Sequence, residues 1–386
     1  MKEERKMKKC TCSLKSCIFI FCCCFNIISA VCLCFFIYHC FILLIFTLDA
    51  YGGSTSTCRS YFVSADNYKY TSNISNPLST NNASNISGGR YRMNEARTIG
   101  LHNSYHIMNS LFSQTSWAAY MFVFVSAWSY THPSLTGQLE QGYRVFEIDI
   151  HARDDALMVY HIQLFDQLTT CYCLSECINE INSWSDANPW HFPIILEFEY
   201  KYYWYEDAYI YQGNKIQFKH ILALEQELIN VFGGKLVTPQ LLRGKYSTLL
   251  EAINVTKWPI IDQVRGRVFA VMWDDTELLD IYLEGDRADE PVLFTLYTSD
   301  NELNGVFDKS GNPVGKQEII NSSVETGRIL RTRVDSRLEY NPERRNVGLN
   351  SKAQLLITDL LDRPLFEDLK NHCYVLTDFS EYVCIG

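Results

Sequence analysis

The chain has 386 residues, 47% of them hydrophobic, and a formal charge of −10, so it can bury a sizeable core in one large domain or two smaller ones. The charge is uneven: residues 1–48 carry six Lys/Arg against two Glu, which leaves −14 on the remainder. An acidic body argues against a nucleic-acid partner and against adhesion to anionic lipid by charge alone, and a bound divalent cation would offset part of it.

Residues 17–48 are almost wholly apolar, longer than a signal-peptide core and long enough to cross a bilayer. Lys2, Arg5, Lys6, Lys8, Lys9 and Lys15 precede them, which predicts a basic cytosolic tail over 1–16 and a signal-anchor over 17–48. The body then lies in the secretory lumen or outside the cell; a signal peptide cleaved near Ala50 is the alternative. Cysteines near the cytosolic face are candidates for palmitoylation, and those deeper in the span read as apolar filler. Residues 49–96 are rich in Ser, Thr and Asn and read as a flexible stalk. Glycosylation sequons stand at Asn73, Asn82 and Asn85 in the stalk, and at Asn254 and Asn321 in the body. The six body cysteines, Cys58, Cys171, Cys173, Cys177, Cys373 and Cys384, form an even set, as disulfides in an oxidising compartment do. Zinc at Cys171, Cys173 and Cys177 is the weaker reading, because no ligand pair of usual spacing completes it.

From Arg97 onward, strand-like runs alternate with helical patterns. Strands are expected at 98–101, 145–150, 193–199, 268–273, 292–297, 329–334 and 355–358, with an eighth near Leu236 and Val237. Helices are expected at 133–141, 174–187 and 216–231. Such alternation over 97–386 predicts one parallel α/β barrel, with chemistry at the C-terminal ends of its strands. His102 and Asn103 end the first strand, Glu147 and Asp149 the second, Glu197 and Glu199 the third, and Arg331 and Arg333 lie on a late one. The nearly uncharged residues 111–128 follow the first strand, as either a membrane-dipping loop or a buried helix.

The stretch 143–161, YRVFEIDIHARDDALMVYH, organises the rest. Side chains two apart on a strand share a face, so Glu147 and Asp149 point the same way. A buried carboxylate pair must meet arginines or a metal ion. His161 returns after a polar turn at 152–155, which suits a metal and an acid–base group sharing one pocket.

The motifs TIGLHNSYH, YTHPSLTGQLEQGYRVFEIDI, VYHI and NPWHFPIILEFEYK, followed by TPQLLRG, KWPIIDQVRGRVFAVMWD, LRTRVDS and AQLLITD, resemble the calcium-dependent phosphoinositide phospholipase C catalytic domain. The likeness is to its small single-domain microbial branch and runs from about Arg97 to Asp359. It implies a distorted (β/α)8 barrel, a Ca2+ cofactor and a phospholipid substrate at a membrane. It implies His102 and His161 as catalytic histidines, and Asn103, Glu147, Asp149 and Glu199 as Ca2+ ligands, all oxygen donors as a hard cation requires. Glu197 shares the face of Glu199 and is a possible substitute. Lys201, Arg331 and Arg333 are expected to bring positive charge to the substrate. The strand at 267–275 lacks the lysine pair with which animal members read extra ring phosphates. A glycerophosphodiesterase or phospholipase D of the same superfamily, and a non-catalytic membrane-anchored barrel, are the competing readings. His102-Asn103-Ser104 stands where the glycerophosphodiesterase pattern has His-Arg-Gly.

Overall fold

The computed structural model describes Cys58, Leu78 and residues 91–385, apart from 110–124, 154–155, 164–165, 203, 206–209, 212–214, 275–276, 285–290, 362, 373 and 376–382. The expected anchor at 17–48 and the stalk sequons Asn73, Asn82 and Asn85 lie outside the described residues. Among the described residues no helix is long and apolar enough to cross a membrane.

Eight parallel strands form a ring. In chain order its strands and three that pair with them are β1 (Ala96–Leu101), β2 (Val145–Arg153), β3 (Ala156–Val159), β4 (Ile194–Tyr200), β5 (Leu236–Val237), β6 (Val268–Met272), β7 (Phe294–Thr295), β8 (Phe307–Ser310), β9 (Ile329–Arg333), β10 (Leu355–Thr358) and β11 (Val383–Ile385). The ring runs β1-β2-β4-β6-β7, crosses to β8 through the parallel bridge Leu296–Phe307, and returns through β9 and β10 to β1. All seven strands expected from the sequence are present. The eighth is β8, not residues 236–237 as expected. β5 instead pairs with the first residues of β6, below the point where β7 joins it. Likewise β11 runs antiparallel to the first half of β1, below the point where β2 joins. Short strands thus fill two gaps where the barrel splays.

Alternation along β2 sets the layers. Phe146, Ile148 and Ile150 pack outward against the helices α1 (Leu135–Gln141), α2 (Leu174–Ala187) and α3 (Phe218–Phe232). Val145 points into the lumen with Ile195, Phe269, Val271 and Ile357, which fill its lower part with apolar side chains. Each large buried side chain contributes roughly 1.5–3 kcal/mol on removal from water. Gly100 lets β1 approach its neighbours: a Cβ there would lie 2.5 Å from Val145 Cβ and 2.7 Å from Ile357 Cδ1. Helix α1 starts where the Ser134 hydroxyl accepts from Gly137 N, and stops at Gly142, whose φ of 103° lies in the left-handed region that favours glycine.

Cys171 pairs with Cys177 and Cys58 with Cys173, so these thiols form disulfides and the zinc reading falls. Cys384 is also disulfide-bonded. Asn254 is exposed and Asn321 half-buried, each on a surface helix.

Candidate active site

Above the apolar floor of the barrel the lumen turns polar. Glu147 on β2 stands directly opposite Glu197 on β4, and Asp149 opposite Glu199. Register alone therefore gathers four carboxylates, and two cations answer them. Arg331 on β9 donates to Glu147, and its Nε lies 3.0 Å from Glu197 Oε2. Only the Glu147 contact has hydrogen-bond geometry. Burial opposes charge on Glu147, but Arg331 first, then His102, Arg333 and Lys201, outweigh it and bring its pKa to about 2. Glu197 is equally buried with less help from Arg331 and with Glu147 repelling it, so its pKa rises to about 8. The Arg331 guanidinium also lies over the Trp273 ring, 4.7 Å from the centroid.

Lys201 is the second cation, with Nζ 2.7 Å from Glu199 and 3.3 Å from Asp149. Neither oxygen of Asp149 has a hydrogen bond of good geometry, although the side chain is fully buried, and Tyr105 approaches it without completing one. Burial raises the Asp149 pKa well above the usual range, and the nearby Glu199 and Glu147 charges add to the rise against Lys201. Glu147, Asp149 and Glu199 offer ligand oxygens all within 4.8 Å of one another. Asn103 follows β1 in the left-handed region at φ 47°, and its Nδ2 donates to the Tyr130 hydroxyl at 3.1 Å. Oxygen donors alone, with a buried carboxylate that lacks a hydrogen bond of good geometry among them, suit a hard divalent cation.

Two histidines flank this cluster, each partly exposed and each held at Nδ1. His102 Nδ1 lies 2.9 Å from Asp359 Oδ1, an ion-pair distance without hydrogen-bond geometry, and its Nε2 is 3.8 Å from Glu147 Oε1. Both oxygens of Asp359 also accept from Arg333 Nη2 (2.7 and 2.8 Å), and Oδ2 accepts from Arg337 N. Burial works against its charge, but the close His102 imidazole and the Arg333 charge hold its pKa below the carboxylate range. His161 Nδ1 lies 2.7 Å from Asp166 Oδ2. Burial lowers the His161 pKa despite that hydrogen bond. Trp128 meets the His161 ring edge-on at 5.7 Å. Of the run 111–128, residues 125–128 are described and form a 3-10 turn; the rest lies outside the described residues.

Every catalytic and metal residue singled out from the sequence thus lies at this end of the barrel. Lys201 and Arg331 sit within the carboxylate cluster, whereas Arg333 is joined to Asp359. Asp166, Asp359, Tyr105, Tyr130 and His106 were not singled out. A cavity of about 320 Å3 opens past β9, lined by Ser336, Arg337, Glu339, Asn341 and Arg344.

The family model for the Ca2+-dependent phosphoinositide phospholipase C matches residues 91–156 and 153–375. Among solved structures, a calcium-dependent phosphoinositol-specific phospholipase C from Pseudomonas sp., crystallised with myoinositol, aligns with 17% identity over 78% of this chain and 97% of its own, at TM-score 0.53. A second crystal form of that protein gives 18% identity, 71% and 92% coverage and TM-score 0.51. A Ca2+-dependent phosphatidylinositol-specific phospholipase C from Streptomyces antibioticus aligns with 16% identity over 72% and 96%, at TM-score 0.49. At the identities of the first two, the likeness concerns the fold, and both share the distorted barrel. No curated protein matches the chain by sequence.

Proposed function

This chain belongs to the Ca2+-dependent phosphoinositide phospholipase C family, and from that premise we propose that it cleaves phosphatidylinositol-type lipid to diacylglycerol and an inositol cyclic phosphate, using the residues around Glu147 and Asp149. One observation carries the reading: an all-oxygen carboxylate cluster lies beside two histidines whose Nδ1 atoms are each held by an aspartate. Glu147, Asp149 and Glu199, with Asn103, would hold Ca2+. Bound there, the ion supplies a Lewis acid that lowers the pKa of a ring hydroxyl and balances charge on phosphorus.

The chain's own groups then divide the work. Asp359 fixes His102 at Nδ1, so Nε2 is the atom that can donate to a phosphoryl oxygen. Asp166 fixes His161 in the same way, so His161 Nε2 can protonate the departing diacylglycerol oxygen and then draw a proton from water. Lys201 and Arg331 add positive charge at the cluster. Arg333 serves the substrate through Asp359 and His102. The cavity past β9, with two arginines and an asparagine in its wall, suits a charged headgroup better than an acyl chain.

Residues 17–48 are proposed to anchor the protein, with the glycosylated body at 97–386 on the lumenal or extracellular side. The two disulfides joining described cysteines support an oxidising compartment. Glycosidase treatment of protein from a secretory host should shift its mobility; an unshifted band with the body open to cytosolic protease overturns the topology.

The activity is tested by following the first product from phosphatidylinositol by phosphorus NMR, with Ca2+ and with chelator. An inositol cyclic phosphate that appears only with Ca2+ is expected. Phosphatidate in its place would assign a phospholipase D, and no product at all a binding protein.

A further inference from the structure

Behind His161 stands a second imidazole that the scheme above does not use. His106 is fully buried, and its Nε2 lies 2.8 Å from Asp166 Oδ2, the same oxygen that meets His161 Nδ1 at 2.7 Å. The other ring nitrogen, Nδ1, lies 2.9 Å from the carbonyl oxygen of Tyr130. A carbonyl and an ionised carboxylate both only accept, so both nitrogens of His106 must donate. Asp166 is ionised: burial raises its pKa, but the hydrogen bonds from His106 and His161 bring it below the ordinary value. The two nitrogens thus sit at hydrogen-bond distance from one shared oxygen. Asn109 Nδ2, at 3.3 Å, reaches the other carboxylate oxygen.

The main chain holds this group in place from several sides. His106 N donates to Asn103 O, His132 N to His106 O, and Asp166 and Ile162 exchange both backbone bonds at 2.9 Å. The His106 ring lies against Tyr130, with centroids 4.2 Å apart. Asp166 is thereby fixed by two imidazoles rather than one.

We propose that His106 is a positioning residue for the phosphodiester cleavage: by donating to Asp166 Oδ2 and balancing its charge, it holds the carboxylate that aims His161 Nε2 at the leaving oxygen. The inference rests on the reading that His161 is the general acid. In that step the ring oxygen bonds to phosphorus as the bond to the diacylglycerol oxygen breaks. The ring hydroxyl's proton goes to a base, and one from His161 Nε2 goes to the departing oxygen.

The test compares wild type, His106→Phe, His106→Gln and His161→Ala on two substrates. One is phosphatidylinositol, with an alkoxide leaving group; the other is an inositol phosphate ester of p-nitrophenol, which needs little protonation on leaving. His161→Ala should lose roughly 10²–10⁴-fold on the first and much less on the second. His106→Phe should follow the same pattern with a smaller loss, about tenfold or more, and should add little in the His161→Ala background. His106→Gln keeps one donor toward Asp166 and should recover part of that loss. Equal losses on both substrates, or none on phosphatidylinositol, overturn the proposal. Should the Phe variant not fold, nitrogen NMR of the wild-type imidazoles decides: both His106 nitrogens protonated and His161 protonated at Nδ1 are expected, and a bare His106 nitrogen refutes it. A wild type that cleaves neither substrate sinks the phospholipase reading, and the NMR result still judges the geometry.

Discussion

Replacing Asp149 with Asn should stabilise the metal-free protein and abolish its response to Ca2+. Both Asp149 oxygens are buried without a good hydrogen bond, and burial together with Glu199 and Glu147 pushes the carboxyl toward its neutral form. An unsatisfied buried polar group costs about 1–3 kcal/mol, more when charged. The substitution removes the charged share of that penalty and the repulsion from Glu199 and Glu147, leaving a neutral amide; it gives up the approach of Tyr105 and the 3.3 Å contact with Lys201, which keeps Glu199 at 2.7 Å. A net gain of about 1–2 kcal/mol in chelator follows, or several degrees in Tm at roughly 2–4 °C per kcal/mol. Ca2+ at a hundredfold excess over its Kd should add about 2.7 kcal/mol to the wild type and little to Asp149→Asn. The order of stability should therefore cross on adding Ca2+. Thermal unfolding of both proteins in chelator and in Ca2+ measures this. A variant less stable than wild type in chelator, or one stabilised by Ca2+ as much as wild type, refutes the placement of the metal.

Other consequences are simpler to state. Arg331→Met leaves Glu147 and Glu197 buried without their common cation and should cost about 3–5 kcal/mol in denaturant unfolding; a cost below about 1 kcal/mol would show that Arg331 does not hold the site together. His102→Ala should slow cleavage of alkyl and aryl substrates alike, because every substrate develops charge on phosphorus; sparing of the aryl substrate would assign it the leaving-group role instead. His191 donates from Nδ1 to Phe192 O and receives the Ser185 hydroxyl at Nε2, while burial lowers its pKa to about 4. Its folded pKa lies below the unfolded one of about 6.5, so its contribution to stability is full above pH 6.5 and lost as pH falls toward 4. Its share of the slope in that window should reach roughly 1.4 kcal/mol per pH unit and be missing in His191→Gln, while the buried His132 and His220, also lowered to about 4, keep theirs; an unchanged slope places the acid sensitivity elsewhere.

Seven of the barrel strands were legible because each carries enough branched or aromatic residues to show its own period. β8 was not. Between Gly305 and Gly311 only Val306 and Phe307 are apolar, with no alternation, and Phe307–Ser310 is a strand because β9 and the residue after β7 supply its partners. Glu147 and Asp149 could be placed from period-two spacing alone, and their opposition to Glu197 and Glu199 came only with the register. Asp166 and His106 are 60 positions apart, with α1, β2 and β3 between them, and both lie outside these elements, so no local pattern announces them. Asp359 closes a recognisable run, but its function comes from His102 and Arg333 on neighbouring strands, as the ring closes around it.

The two histidine–aspartate pairs differ in what stands behind them, and that difference fits their unequal tasks. Asp359 is held by a guanidinium, whose charge is permanent, and by a backbone N–H. Asp166 is held by an imidazole, whose charge depends on its own two hydrogen bonds. A group that only stabilises charge on phosphorus gains from a fixed partner. A group that must give up a proton and then take one needs a carboxylate that orients it without binding its charge too firmly. Arg333 takes up much of the pull of Asp359, and His106 does the same for Asp166, so each histidine is aimed at Nδ1 while its Nε2 is left for the substrate.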